Sequence, residues 1–441
     1  MKYTLIRFGI TATTPFAVAA PESGAGEAID LPVAVDHQGH AIVPASSLAG
    51  SLRAHLRSLD KDEALMGSRS PLSDPEDDSP LGPSRMCLLG SRLLLDGVPV
   101  KQEDLERRTQ TAVARSTGVA SPKSLRTGTL VPAGVTVHLF ALLDGEVDQD
   151  ELKALGSWEP VLGRARTSGQ GRAKLAELKT GMIDLDESAD LLAWLADHGP
   201  KLFDDRCTVS HTPTPPAMQP AMSFEFKIVD PVHLGGGGHE RNKAQLARRR
   251  DGRTYLEGSS LKGVFRSRAE YIARSLGLNV CLSSEGPTCG RCLGCAVFGS
   301  TGRRGRLTFL DAEILVPEVT VLDHAAIDRA TGGAAKGRLY SEEVITSGKF
   351  KVEVRLLDTQ QPLQSWEAHW LRAVVTDLHD GYVGLGGRST RGLATVQLVD
   401  TSTRPTINGM KDSLEQAAIE AASQEADEAP VDPVDRGGLD G

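Results

Sequence analysis

Alternation of apolar and polar residues predicts half-buried strands at corresponding places in the two halves of the chain. The predicted strands are residues 2–11, 87–95, 135–143, 222–229, 306–315 and 349–357. Apolar residues recur with a helical period at 46–59, 149–156, 187–197 and 366–378, and again just after residue 258. This order of strands and helices predicts an α+β fold that resembles a ferredoxin-like split β-α-β unit in each half.

Repeated motifs support two copies of one unit. The frame Ser-Ser-Leu-x-Gly-x-x-Arg occurs at Ser46–Arg53 and again 213 residues later, at Ser259–Arg266. The segment Arg115-Ser-Thr-Gly118 is matched 214 residues later by Arg329-Ala-Thr-Gly332. Landmarks that keep one order and nearly one spacing indicate a tandem duplication of a unit of about 200 residues.

The duplication predicts a domain boundary near the middle of the chain. We expect a first domain at residues 1–200, a linker at 201–221 and a second domain at 222–400. Residues 401–441 are predicted to be a disordered acidic tail, because they lack aromatic residues and carry nine acids against Lys411 and Arg436 after residue 410.

The net charge of −9 is concentrated in this tail. Without the −7 of residues 411–441, the rest of the chain carries −2 (−9 + 7), and its arginines cluster in glycine-rich loops at 248–250, 303–306 and 388–391. Such clusters are either solvated surface or the wall of a groove for a polyanion. The chain has no run of 18 apolar residues and no signal peptide, so we expect a cytoplasmic protein without a membrane partner.

The turn before the helix of the second copy is a candidate phosphate site. Ser259 or Ser260 is expected to cap this helix, whose free amides and dipole attract anions. Lys262 adds a cation in the same turn. The alternative is an ordinary capped surface helix.

Four of the six cysteines predict a metal site. They lie within 15 residues and are Cys281, Cys289, Cys292 and Cys295. Two x₂ spacings favour a closed tetrahedral site for a structural Zn²⁺ ion. An iron–sulfur cluster is the alternative, but its fourth cysteine follows downstream, whereas Cys281 lies upstream. Cys87 and Cys207 are expected to be packing residues.

Together these segments resemble the RAMP superfamily. The matching segments are Gly258–Gly263, His233–Gly237, Cys292–Gly299, Asp328–Gly332 and Gly384–Gly392. The resemblance extends over about residues 2–400. Within that family the chain is similar to the crRNA-binding backbone subunit of type III CRISPR effector complexes, with two copies fused as in subtype D. The resemblance implies two tandem RRM-like domains with thumb hairpins and a zinc-binding insertion in the second. The implied partners are crRNA, complementary target RNA and the other subunits of the complex.

The resemblance also implies which residues bind RNA, since helix turns and glycine loops bring backbone amides close to phosphates. These residues are Ser46, Ser47, Arg53, Arg115, Arg164, Arg166, Arg172, His233, Ser259, Ser260, Lys262, Arg266, Arg329, Arg388 and Arg391. The polar segments 107–129 and 323–346 correspond to the thumbs, hairpins that wedge into the guide–target duplex. Plain surface loops are the alternative for both.

A catalytic aspartate is implied in the loop before the first hairpin. Ile29-Asp30-Leu-Pro-Val33 matches the family's Ile-Asp-x-Pro-Val pattern, so Asp30 is the predicted catalytic residue. Its carboxylate would hold a divalent metal such as Mg²⁺ or assist attack by the RNA 2′-hydroxyl. The alternative is an ordinary surface acid. The corresponding residue of the second copy is Asn242, which is no base and a poor metal ligand, so that site is expected to be inactive unless Glu240 or Asp251 substitutes.

Two functions follow from this interpretation. The first is an endoribonuclease that cuts target RNA through Asp30, and the second is an RNA-binding scaffold without activity. A guide-processing RAMP nuclease is a weaker alternative, because it needs a catalytic histidine near the N-terminus, whereas His37 and His40 lie in a predicted hairpin turn.

Overall fold

The computed structural model describes residues 1–18, 31–68, 82–115, 117–197, 199–215, 219–240, 243–249, 251–282, 288–357, 361–401 and 410–427. They form two compact units. The first unit comprises the described residues of 1–112, 121–219 and 236–255, and the second those of 113–120, 220–235 and 256–441. The α+β fold class is confirmed, and the domain boundaries drawn from the sequence stay predictions.

The first half of the chain contains eight strands and five helices among the described residues. In order they are β1 (Lys2–Ala12), α1 (Ala45–Arg57), α2 (Asp62–Met66), β2 (Met86–Leu95), β3 (Val98–Pro99), β4 (Glu106–Gln110), β5 (Arg126–Leu130), β6 (Thr136–Asp144), α3 (Gln149–Gly156), β7 (Ala173–Asp184), α4 (Ser188–Ala196), α5 (Pro200–Arg206) and β8 (Val209–His211).

The second half adds nine strands and four helices among the described residues. They are β9 (Met222–Ile228), β10 (Gly235–Glu240), β11 (Lys243–Leu246), β12 (Tyr255–Leu256), α6 (Gly258–Ser275), α7 (Leu293–Phe298), β13 (Leu307–Phe309), β14 (Ala312–Glu313), β15 (Leu315–Ile327), β16 (Ala334–Leu356), α8 (Ser365–His379), β17 (Val396–Leu398) and α9 (Met410–Asp427).

In the first unit, β1 is a central strand with both faces covered. The sheet order is β3-β2-β6-β1-β7-β8, and β1 pairs antiparallel with β6 and β7. Because side chains alternate along a strand, Ile6 and Phe8 share one core with Trp158, while Leu5 packs on the other face with Phe203 of α5. The expectation of a half-buried strand is therefore wrong for β1.

In the second unit, β9 occupies the same central place, between β16 and β17 and antiparallel to both. Phe224 and Phe226 are buried, whereas Glu225 and Lys227 are exposed, so one face of this strand is charged. Phe226 stacks on Phe350 of β16 with ring centroids 5.7 Å apart. The shared arrangement, a first strand between two later antiparallel strands, confirms the tandem duplication.

Two segments predicted to be irregular are ordered. Residues 201–206 of the predicted linker lie in α5 and residues 209–211 form β8, which is an edge strand of the first sheet. The predicted disorder of the tail is wrong for residues 410–427, which form α9 in contact with α7 and α8. Met410, Leu414 and Ala417 follow a helical period and are buried, with Leu414 completely so. Acidic composition concealed this apolar stripe.

Both polar segments that correspond to thumbs form β-hairpins. In the first, β4 pairs with β5 from Glu106 opposite Leu130 to Gln110 opposite Arg126. In the second, β15 pairs with β16 over a longer arm, and the first seven residues of β15 are exposed. Neither segment is an irregular surface loop, and a thumb function for them stays a prediction.

Candidate nucleic-acid interface and metal centre

The chain that follows residue 30 is fixed by three hydrogen bonds in the first unit. The Leu31 carbonyl accepts from Arg164 Nη2 at 3.2 Å and from the Thr129 N–H at 3.2 Å. The Val33 N–H donates to Thr129 Oγ1 at 3.0 Å. The guanidinium of Arg164 therefore lies beside Leu31, and its burial lowers its pKa.

Asp30 and Asn242 lie outside the described residues. Of the two acids considered as substitutes in the second copy, Asp251 is exposed and its carboxylate lies 2.6 Å from the guanidinium of Arg253. A backbone N–H of Arg253 also donates to it, and these bonds lower the pKa of Asp251. Glu240 ends strand β10.

The loop that carries Arg164 needs glycine at Gly163. There φ is +66°, and a Cβ atom would lie 2.0 Å from the carbonyl oxygen of Ala17. The same close approach allows the Arg164 N–H to donate to that carbonyl at 3.1 Å. Glycine thus lets the arginine loop pack directly on the chain after β1.

The glycine–arginine loops of the two repeats share one backbone conformation. In the first, Ala165 (φ +56°) and Gly169 (φ +79°) flank a single 3₁₀ turn. In the second, Arg388 (φ +65°) and Gly392 (φ +77°) flank the corresponding turn. Each turn therefore has a left-handed residue at both ends, and the two repeats share this loop conformation.

In the second repeat the loop arginines bind the middle part of the long hairpin, which carries Glu342 and Tyr340. Arg388 Nε donates to Glu342 Oε2 at 2.7 Å, and His324 Nε2 lies 2.9 Å from the other oxygen of this fully buried carboxylate. Arg391 Nη1 donates to Tyr340 Oη at 2.7 Å, and the His324 ring stacks on the Tyr340 ring at 5.0 Å. The loop and this part of the hairpin therefore form one cluster of linked side chains.

His233 is also a structural contact. It is 9% exposed, and its Nδ1 donates to the Glu343 carbonyl at 2.7 Å. Its own carbonyl accepts from the Gly387 N–H at 2.9 Å. These bonds tie the His233 loop to the glycine–arginine loop, and the RNA contact predicted for His233 stays a prediction.

The prediction that Ser259 or Ser260 caps α6 is wrong. The helix begins at Gly258, and the Ser259 hydroxyl donates to Glu257 Oε2 at 2.8 Å instead. The Gly258 N–H donates to Asp311 Oδ1 at 2.7 Å. A carboxylate thus occupies the place beside the first free amide where the sequence predicted a phosphate.

The remaining residues of the predicted helix-turn sites are Lys262 in α6 and the matching serines in α1. Burial, together with repulsion from Arg266, lowers the pKa of Lys262 to about 8. In the first repeat, Ser46 is exposed and Ser47 is partly exposed at the start of α1. That helix has no acid in its first turn.

Three further arginines predicted to bind RNA have partners inside the first unit. Arg53 donates to the carbonyls of Met66 and Gly67 at the end of α2. Arg166 Nε donates to the Gly163 carbonyl at 3.1 Å, and Arg172 Nη2 lies 3.2 Å from Glu159 Oε1. These side chains stabilise loops and helix ends, and their contacts with RNA stay predictions.

In the second unit, Arg115 and Arg266 share one carboxylate. Arg115 Nη1 lies 2.5 Å and Arg266 Nε 2.8 Å from Glu270 Oε1, and the Glu270 side chain is completely buried. Arg115 itself is 10% exposed. Arg329, its counterpart in the second repeat, is exposed. Two residues that the sequence treated as equivalent therefore have different surroundings.

The four predicted metal ligands come together. Their sulfur atoms all lie within 4.8 Å of one another, with Sγ–Sγ distances of 3.7 Å for Cys281–Cys292 and 3.6 Å for Cys281–Cys295. A tetrahedral zinc ion with Zn–S bonds of about 2.3 Å needs sulfurs about 3.8 Å apart. The cluster therefore fits one zinc ion, whereas an iron–sulfur cluster spreads its thiolates over several irons.

Backbone N–H groups favour the thiolate form of Cys289. Burial raises the pKa of the Cys289 thiol, but N–H groups of Cys292 and Arg291 that donate to its sulfur outweigh burial and lower the pKa to about 7. Burial raises the pKa of Cys295 to about 12. A bound cation would supply the charge that keeps these sulfurs as thiolates. Cys207 is buried, as expected, but Cys87 is exposed.

Sequence reasoning missed the acids that hold the arginines. Glu270, Glu342 and Asp311 each accept from a predicted RNA-binding side chain or helix end. Glu270 had one available signal, since it stands four residues after Arg266 on a helix. Glu342 and Asp311 had none, because their partners are distant in the sequence.

Comparison with known proteins supports a family assignment. Within the part of the chain that the structure describes, no helix is long and apolar enough to span a membrane. No curated protein matches the sequence. One chain of a cryo-EM structure of type III-B Cmr-beta in the apo state is similar, with 18% identity and a TM-score of 0.30 over 40% of this chain and 96% of that chain. A family model described as "RAMP superfamily" matches residues 9–174 and 225–394. The match covers each repeat once, and the chain belongs to the RAMP superfamily.

Proposed function

We propose that this chain is a crRNA-binding backbone subunit of a type III CRISPR effector complex. In this proposal it holds the guide–target duplex and cleaves complementary target RNA through Asp30. The supporting observation is the match of both repeats to the RAMP family, at residues 9–174 and 225–394. Its partners would be crRNA, target RNA and the other subunits of the complex.

The geometry after residue 30 supports the first repeat as the cleaving one. Leu31, which follows the predicted catalytic residue in the sequence, is anchored to Thr129 and to the guanidinium of Arg164. A cation there would stabilise negative charge that develops on a phosphate. The second repeat has Asn242 at the corresponding position.

The proposed reaction is cleavage by the RNA's own 2′-hydroxyl. The 2′-oxygen forms a bond to phosphorus, its proton passes to a base, and the bond between phosphorus and the 5′-oxygen breaks as that oxygen takes up a proton. Asp30 either accepts the 2′-proton or holds a divalent ion such as Mg²⁺, which neutralises phosphate charge when bound. Arg164 would orient the phosphate.

Cleavage of labelled target RNA by the reconstituted complex tests this proposal. We expect Asp30→Ala to abolish one cut and to leave assembly and co-purified guide RNA unchanged. Asp150→Ala, which removes an exposed acid on α3, is the matched control and should cut normally. Unchanged cleavage by Asp30→Ala would support the alternative, a scaffold without activity. Asn242→Asp tests whether the second repeat gains a cut.

A further inference from the structure

The carboxylate of Glu270 organises an ion cluster inside the second unit. Its Oε1 atom accepts from Arg115 at 2.5 Å and from Arg266 at 2.8 Å. Its Oε2 atom has no hydrogen-bond partner among the described residues. Removal of one of the two facing cations would leave this buried carboxylate poorly compensated.

The same cluster touches the cysteine site. Arg266 Nη1 donates to the Gly299 carbonyl at 2.8 Å, and Arg266 Nη2 lies 3.9 Å from Cys295 Sγ. At Gly294, between two of the cysteines, an added Cβ would lie 3.1 Å from Glu270 Oε1. The position of Glu270 is thus set from one side by the backbone that carries the metal ligands.

In the turn of residues 113–120, the described residues 113 and 117–120 are exposed, whereas the Arg115 side chain is only 10% exposed. Backbone bonds close this turn, from the Ala114 N–H to the Val119 carbonyl and from the Gly118 N–H to the Ala114 carbonyl, each at 2.8 Å. Its apolar side chains do not anchor it, since Val113 is 53% and Val119 63% exposed. Among the described residues of the turn, Arg115 makes an ion pair with Glu270 of α6.

Charge also connects the turn to the metal site. A zinc ion with four thiolates carries a net charge of −2 (+2 − 4). Burial, with repulsion from Arg266, lowers the pKa of Arg115, whereas Glu270 and the Cys281 and Cys295 sulfurs attract its charge. Low dielectric strengthens these attractions because Arg115 is only 10% exposed.

We propose that Arg115 fastens the 113–120 turn to the cysteine element through Glu270, so that metal binding orders a turn of the first thumb. The metal then acts on a segment that supplies none of its ligands. This inference goes beyond the proposed function, and its test does not depend on RNA cleavage. Arg115 is a positioning residue in this arrangement.

Hydrogen exchange of the full chain, with zinc and after chelation, tests the proposal. The primary variant is Arg115→Met, because it keeps the Arg266–Glu270 pair and so preserves α6. We expect the amides of Ala114, Gly118 and Ser121 to exchange at least about tenfold faster than in the wild type. Arg329→Met, which changes the exposed counterpart in the second repeat, should leave these rates unchanged.

A comparison of the zinc-bound and the chelated protein makes the test more specific. Chelation should accelerate exchange at the same amides in the wild type and add little in Arg115→Met, because the connection is already broken. Glu270→Gln should release the turn as Arg115→Met does. Protection of β9 and β16, which lie in the second unit, serves as the measure that this unit is folded in each variant and in each chelated sample.

Two outcomes would overturn the proposal. One is unchanged exchange of the turn in a folded Arg115→Met protein. The other is an equal effect of chelation in that variant and in the wild type, which would show that the metal acts elsewhere. If Arg115→Met weakened guide-RNA binding without a change in exchange, Arg115 would be an RNA contact and the proposal would also fail.

Discussion

Arg115 and Arg329 have the same place in the two repeats but opposite surroundings. Arg115 is 10% exposed against the buried Glu270, whereas Arg329 is exposed at the tip of the longer hairpin. In the second repeat the buried charge lies midway along the hairpin, where Glu342 binds Arg388 and lies 2.9 Å from His324 Nε2. A buried carboxylate therefore lies near each hairpin, at the tip in the first copy and midway along the arm in the second. The Arg-x-Thr-Gly motif is shared by both repeats, but it does not determine whether its arginine pairs with a buried carboxylate.

The largest expected effect comes from the cysteine site, which the first repeat lacks among its described residues. Cys292→Ser should remove bound zinc and destabilise the second unit strongly, since structural zinc contributes about 10 kcal/mol or more in small domains. Metal analysis and thermal unfolding measure this. Cys87→Ser, an exposed cysteine outside the cluster, is the control. Full zinc content in Cys292→Ser would contradict the assignment.

The buried carboxylate midway along the long hairpin gives the next largest effect. Glu342→Gln should lower the free energy of unfolding by about 3 kcal/mol, because it leaves Arg388, which is 29% exposed, without the buried carboxylate that neutralises its charge. Chemical denaturation measures the loss. Glu318→Gln, at an exposed position on the same hairpin, should change stability by less than about 0.5 kcal/mol. Equal effects would show that burial of the Glu342 carboxylate does not raise its contribution to stability.

A glycine substitution tests the close packing of the arginine loop in the first repeat. Gly163→Ala should cost about 2 kcal/mol or more, since its Cβ would lie 2.0 Å from the Ala17 carbonyl oxygen at a left-handed φ of +66°. Gly134→Ala has a similar φ of +87° with open space around it, so it should cost only about 1 kcal/mol. Similar losses in thermal unfolding would show that strain, not packing, decides.

The smallest expected effect is the loss of one hydroxyl. Tyr340→Phe removes the acceptor of the 2.7 Å bond from Arg391 and should cost about 1 kcal/mol, while the stacking with His324 remains. Tyr382→Phe, on a side chain that is 70% exposed, is the matched control. Denaturation midpoints of both variants give the comparison. An unchanged midpoint for Tyr340→Phe would show that the Arg391 bond adds nothing to stability.

Much of the fold was predictable because local patterns were strong. The Ser-Ser-Leu-x-Gly-x-x-Arg motif lies in a helix in both copies, and the cysteine spacing brings four sulfurs within 4.8 Å. Strand β7 was missed, since its residues Ala173–Asp184 mix small, charged and apolar types without a clean alternation. Helix α9 was missed because acidic composition outweighed its apolar stripe in the prediction.

The candidate RNA site was less predictable, for a physical reason. A sequence shows that an arginine is present but not whether a distant carboxylate or carbonyl already binds it. Arg53, Arg172 and Arg388 all have such partners inside the fold. Contacts of this kind depend on tertiary structure, so residue type alone overstates how many arginines are free to meet phosphate.

The outer edge of β15 has a consequence for how this protein behaves in solution. Within the residues that the structure describes, β15 pairs only with β16, so its other side presents free backbone amides and carbonyls. Val316 is 86% exposed there, which makes the edge a template on which a second chain can add a strand. Pro317, which lacks an N–H, and the neighbouring Glu318 interrupt that template. They would limit the addition of a strand along this edge and so oppose aggregation.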